Sequence, residues 1–100
     1  MPAPSQSVEA EQFLLRGSDG KVRGAMGIGG NGTVGINLSD AKGQTRVTMD
    51  LAADGSPGID LYDGSGRMRA TFALGPEGTT GLGLYDSSGK LRTSLDVPAP

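Results

Sequence analysis

Gly58-Ile59-Asp60-Leu61-Tyr62-Asp63-Gly64-Ser65-Gly66-Arg67-Met68-Arg69-Ala70-Thr71-Phe72-Ala73-Leu74 carries the pattern that decides the fold. Ile59 and Leu61 alternate with Asp60 and Tyr62. After a Gly-rich break, Met68, Ala70, Phe72 and Leu74 alternate with charged, hydroxylated or small residues. An apolar period of two is the mark of a half-buried strand, and the Gly-containing breaks lie too close together for helices. The stretch therefore reads as two strands, A (59–62) and B (67–74), joined by a turn.

The same pattern recurs along the chain at a constant step. The glycines Gly20, Gly43, Gly66 and Gly89 and the arginines Arg23, Arg46, Arg69 and Arg92 are each 23 residues apart, with no insertion. Leu15, Leu38, Leu61 and Leu84 keep that step, as do Phe13, Ile36, Ile59 and Leu82, and Met26, Met49, Phe72 and Leu95. Fixed-step self-similarity marks a repeat architecture. The expected domain is 12–97, divided 12–34, 35–57, 58–80 and 81–97: four units of two strands, about eight in all. Residues 1–11 and 98–100 read as tails.

Turn chemistry supports this division. Asp40, Asp63 and Asp86 open the A–B turns and Gly43, Gly66 and Gly89 close them; Gly17 replaces the Asp in the first copy. Asp suits the start of a type I turn through an Asx hydrogen bond, and Gly suits a left-handed last position. If Leu61 and Met68 share a face, paired residue numbers add to 129 and Asp63-Gly64-Ser65-Gly66 forms a four-residue loop. The B–A turns centre on Asn31-Gly32, Asp54-Gly55 and Glu77-Gly78.

An antiparallel meander is the expected arrangement. In a β-solenoid, equivalent strands would stack about 4.8 Å apart and set Arg23, Arg46, Arg69 and Arg92 side by side as like charges. The meander doubles that spacing. One apolar face cannot stand alone in water, so it must be covered. The chain has 100 residues with only 35% apolar residues and four aromatics, which makes a thin core and favours pooling the faces of several chains. A homo-oligomer, with a trimer favoured, is expected; a closed eight-stranded barrel is the alternative, because eight strands enclose an interior that side chains can fill.

Composition excludes several function classes. The net charge is −2 without a basic run, so nucleic acid is not an expected partner. Histidine and cysteine are both absent, which removes the commonest general base, the commonest metal ligands and any disulfide framework. No apolar stretch approaches the ~18 residues of a membrane span, and Met1-Pro2-Ala3-Pro4-Ser5 has no signal-peptide pattern. The turn aspartates lack the later Glu of an EF-hand and read as turn caps. The glycines from Gly24 to Gly35 open no helix and read as turn and strand glycines rather than a phosphate loop. No catalytic residue, cofactor or metal site is expected, and the chain does not read as an enzyme.

Two groups of residues remain as candidates. Strand B of one copy lies beside strand A of the next. A pairing whose numbers add to 156 brings Arg69 next to Asp86, Arg46 next to Asp63 and Arg23 next to Asp40: an inter-repeat clasp. The first copy, which has no preceding Arg, is the one without the Asp. Tyr62 and Tyr85, beside the A–B loop, form a possible partner surface for a glycan or peptide, or a cross-strand cover over Arg67 and Lys90.

With Phe13-Leu14-Leu15 before Asp19-Gly20-Lys21-Val22-Arg23, and Gly55-Ser56-Pro57-Gly58-Ile59-Asp60-Leu61-Tyr62-Asp63, the chain resembles a group of short bacterial β-repeat proteins. Their units read roughly Leu-x-Asp-x-x-Gly-Lys-x-Arg-Ala followed by Asp-Gly-Ser-Pro-Gly-Leu. The resemblance covers about residues 8–97 and implies no activity. Members often carry an N-terminal membrane anchor, so a cell-envelope or extracellular location is what the resemblance suggests. A looser similarity is to the trimeric β-repeat shafts of viral and phage fibres. The expected role is a structural or interaction module that self-associates as a spacer or display surface.

Overall fold

The computed structural model describes residues 6–99, and all its regular structure is strand. The strands are β1 Gln12–Arg16, β2 Val22–Ile28, β3 Val34–Ser39, β4 Thr45–Leu51, β5 Pro57–Tyr62, β6 Met68–Leu74, β7 Thr80–Tyr85 and β8 Leu91–Val97. They form one antiparallel sheet in the order β1-β2-β3-β4-β5-β6-β7-β8. Each strand pairs with its sequence neighbours, so the sheet is an open meander and neither a barrel nor a solenoid. Residues 6–11, 98 and 99 carry no strand; the remaining tail positions, 1–5 and 100, lie outside the described residues.

One turn geometry is used seven times. Gly66 N donates to Asp63 O at 3.0 Å and Asp63 N donates to Arg67 O at 2.9 Å. This is a type I turn whose fourth residue is left-handed, leaving a three-residue loop between the closing pair. Gly20, Gly32, Gly43, Gly55, Gly66, Gly78 and Gly89 occupy that fourth position with φ between 83° and 93°. The expected four-residue A–B loop is therefore one residue too long, although its type I turn and left-handed Gly are present.

The pairing of β5 with β6 corrects the expected register. Tyr62 pairs with Met68, but Leu61 pairs with Ala70, so Arg69 is an extra residue in a β-bulge. The same shift occurs between Leu15 and Arg16, between Leu38 and Ser39, and between Leu84 and Tyr85. Met68 thus faces Tyr62 instead of sharing the face of Leu61. The B–A hairpins have no bulge; Ala70 pairs with Leu84 and Leu74 with Thr80, numbers adding to 154 and not 156.

The bulge explains why the step is odd. The A–B pairs add to 131 beyond the bulge and the next B–A pairs to 154, a difference equal to the 23-residue step. Equivalent residues consequently line up straight across the sheet, with no stagger. Two straight hairpins with these loops would need an even step to do the same. The surplus residue is the Arg. A barrel closes only when its register staggers by a fixed shear, so an unstaggered sheet stays open.

This alignment gathers the apolar side chains into three rows on one face. The central row runs Phe13, Met26, Ile36, Met49, Ile59, Phe72, Leu82, Leu95. Leu15, Leu38, Val47, Leu61, Ala70 and Leu84 lie to one side of it; Ile28, Val34, Leu51, Pro57, Leu74 and Val97 lie to the other. No hydrophobic residue among those described is buried. The radius of gyration is 16.9 Å, against about 13 Å for a compact chain of this length. The molecule is a single layer.

Candidate functional site

The column of bulged arginines is the most regular side-chain feature of the sheet. A bulge re-aims its residue away from the ladder. Here it sends each guanidinium toward the A–B turns, where two kinds of acceptor meet. The ion pairs run inside each copy: Arg46 Nη1 to Asp40 at 3.6 Å, Arg69 Nη1 to Asp63 at 3.6 Å and Arg92 Nη1 to Asp86 at 3.7 Å. Toward the following copy the acceptor is a main-chain carbonyl. Arg23 Nε donates to Ser39 O at 2.9 Å, Arg46 Nε to Tyr62 O at 2.7 Å and Arg69 Nε to Tyr85 O at 2.7 Å.

The six residues proposed as a clasp therefore stand around the same turns, with a different division of partners. The direct ion pair goes to the Asp of the Arg's own hairpin, and the bond to the next copy goes to the carbonyl just before that copy's turn residue. The bulge also moves the residues that numbers adding to 129, or the equivalent sums in the other copies, would set opposite the arginines: Leu14 pairs with Ala25, Asn37 with Thr48, Asp60 with Thr71 and Gly83 with Ser94. Arg67 adds a second link between copies, its Nη1 donating to Ser87 O.

The turn aspartates are held as carboxylates by the loop. Ser65 Oγ donates to Asp63 Oδ1 at 2.6 Å, and the Ser65 and Arg67 amides donate to the same oxygen. The Ser65 hydroxyl is the largest cause, with the two amides and the Arg69 charge assisting, and the Asp63 pKa falls from 3.8 to about 2. Asp86 is lowered first by the Ser88 hydroxyl, then by the Lys90 and Ser88 amides, and also by Arg69 of the preceding copy. Asp40, with no serine in its loop, is lowered chiefly by the Gln44 amide. A loop that favours the charged form of its acid lowers its pKa; it does not poise that acid for proton transfer near neutral pH.

Tyr62 and Tyr85 are half-buried on the polar face. They pair with Met68 and Leu91, not with Arg67 and Lys90. Beside Tyr85 is a shallow depression lined by Thr71, Gly81, Gly83 and Leu91. Its floor is low because the glycines carry no Cβ; one on Gly83 would come within 3.2 Å of Thr71 and 3.4 Å of Tyr85. The depression follows from register that strand patterns alone do not give, and the two glycines in Gly81-Leu82-Gly83 were the available signal.

Among the described residues no group of three or more acidic, His or Cys side chains could hold a metal ion. No helix among the described residues is long and apolar enough to cross a membrane. No family model matches the chain, and no curated protein matches it significantly.

Proposed function

We propose that this protein is a self-associating structural module whose apolar sheet face is its assembly surface, serving as a spacer or display element. The observation that supports this reading is the area left uncovered. The chain exposes 7340 Å², whereas a folded monomer of its 10.1 kDa would expose about 5,300 Å². The surplus of roughly 2,000 Å², shared between the sheet and the exposed strandless residues 6–11, leaves the sheet face enough area for a standard interface. Phe13, Met26, Met49, Phe72 and Leu95 of the central row are 41–65% exposed, and water is a poor environment for such a row.

A three-chain assembly suits the strand length. Six or seven residues span roughly 20 Å. Three faces of that width around a common axis lie about 6 Å from it, near half the ~10 Å spacing of packed sheets. The apolar side chains then fill the interior without leaving a channel. Light scattering tests this directly: a mass three times 10.1 kDa is expected. Substituting Phe72→Asp, in the central row, should release monomers or unfold the chain. A parent protein that is a folded monomer at micromolar concentration would overturn the reading.

A second reading, favoured by the depression beside Tyr85, is a glycan- or peptide-binding module. Its glycine floor offers the flat approach that sugar rings stacking on Tyr require. Binding of a glycan or peptide library member that survives the double substitution Tyr62→Ala, Tyr85→Ala would remove it.

A further inference from the structure

The two ends of the sheet are not equivalent to its internal junctions. At β2·β3, β4·β5 and β6·β7 an Arg Nε donates to the carbonyl of Ser39, Tyr62 or Tyr85, and the residue after that carbonyl is Asp40, Asp63 or Asp86. At the last of these, the Arg69 charge also stabilises the Asp86 carboxylate across the junction. The outer edge of β8 repeats the donor half of this arrangement. Arg92 keeps its ion pair to Asp86, its Nε has no carbonyl acceptor among the described residues, and its side chain is 62% exposed against 45% for Arg46 and 43% for Arg69.

The described backbone of β1 and β8 allows the first strand of a second copy to complete that junction. Without stagger, β1 of another chain would meet β8 in the internal register: Thr93 opposite Leu15, Leu95 opposite Phe13, the apolar rows continuing unbroken. An open edge with a matching partner grows into fibres unless something opposes it. The opposition is written into the first copy. Where the internal junctions place Ser39, Tyr62 or Tyr85 followed by Asp, β1 ends in Arg16 followed by Gly17. Arg16 Nη1 bonds to Gly20 O at 2.9 Å, which holds its guanidinium at the A–B turn end of the sheet. That is the end where Arg92 would arrive.

We propose that Arg16 and Gly17 form a charge block that prevents a second copy of this chain from extending the sheet at β8, so that copies meet through the apolar face alone. An incoming β1 would set Arg16 beside Arg92, with Gly17 where the internal junctions have Asp; the carboxylate of its turn is that of Asp19, two residues further on and bonded to the Lys21 amide. Like charges on adjacent strands are destabilising, and the internal junctions show the complementary alternative. This concerns the sheet edges and stands apart from the face-to-face reading. Should three chains assemble through their faces, each end of the assembly would present the block three times.

The test is the double substitution Arg16→Tyr, Gly17→Asp, which gives β1 the ending of β5 and β7. Sedimentation velocity and electron microscopy follow the mass of the full chain from 1 to 200 μM, with circular dichroism confirming a folded sheet. The variant is expected to grow with concentration into linear particles, and the parent to hold one mass. Arg16→Glu, a single change that places a carboxylate beside Arg92, should also grow, which keeps the test open if the double variant folds poorly. In the parent, 1 M NaCl shortens the screening length to about 3 Å and should permit some elongation. Variants that keep the parent's mass throughout, or a parent that polymerises freely at low salt, would overturn the proposal.

Discussion

The guanidinium of Arg69 stands 3.6 Å from the Asp63 carboxylate while its Nε, 2.7 Å from Tyr85 O, bonds the next strand. One side chain thus ties a turn to its own hairpin and that hairpin to its neighbour. Arg46 does the same with Asp40 and Tyr62. Both links are exposed, so each adds modestly to stability; their larger effect is to hold the bulge in one place.

The planar fork of Arg is what allows two acceptors to be served at once. Lys cannot reproduce it. Arg69→Lys and Arg69→Ala should both lower stability by about 0.5–1 kcal/mol, with nearly equal losses in a urea melt. A Lys variant that retained full stability would show that charge alone matters.

Acid sensitivity follows from the turn aspartates. The folded pKa of Asp63 is lowered to about 2 from 3.8, so its contribution is complete above about pH 4 and is lost as pH falls toward 2. Asp63→Asn keeps an oxygen acceptor for the Ser65 amide but removes the charge. Its melting temperature should decline less steeply than the parent's between pH 4 and 2. Identical slopes would mean that Asp63 is not held as described.

Gly66 has a φ of 91°, yet a Cβ built there would meet nothing within 4 Å. Any penalty for a side chain is therefore conformational, without a contact term. Gly66→Val should cost more than ~1 kcal/mol, and Gly66→Asn clearly less, because Asn tolerates the left-handed region. Equal melting of the two variants would contradict this.

Deletions separate the bulge from the ladder. Removing Arg69 leaves Ala70 opposite Leu61 in a straight hairpin, so the sheet should form with its faces intact. Removing Thr71 instead turns Phe72 and Leu74 to the polar face. The first variant should keep a cooperative melt and a β-sheet circular dichroism spectrum; the second should lose cooperativity. The opposite order would refute the bulge.

Strand number, strand order and turn placement were legible in the sequence because the alternation around Ile59 and Leu61 and the glycine column repeat without a gap. The register was not. Met68-Arg69-Ala70 reads equally well as the start of an unbroken alternation, and a bulge leaves no mark in a period-two pattern. The odd step was the clue available: straight hairpins joined by equal loops advance by even numbers. The partners of Arg46 and Arg69 moved with that single residue. The carbonyl bonds to Tyr62 and Tyr85 were beyond reach, since every residue has a carbonyl and only geometry selects one.

The order β1 to β8 places the first and last strands on opposite margins of the sheet. Tension applied between them pulls along the interstrand hydrogen bonds and not across them. The ladders would then open one at a time, like a zip, each strand yielding before the next is loaded. A spacer built this way would stretch by strand-length steps at low force and close again when released. It would act as an extensible tether, suited to absorbing displacement rather than bearing a steady load.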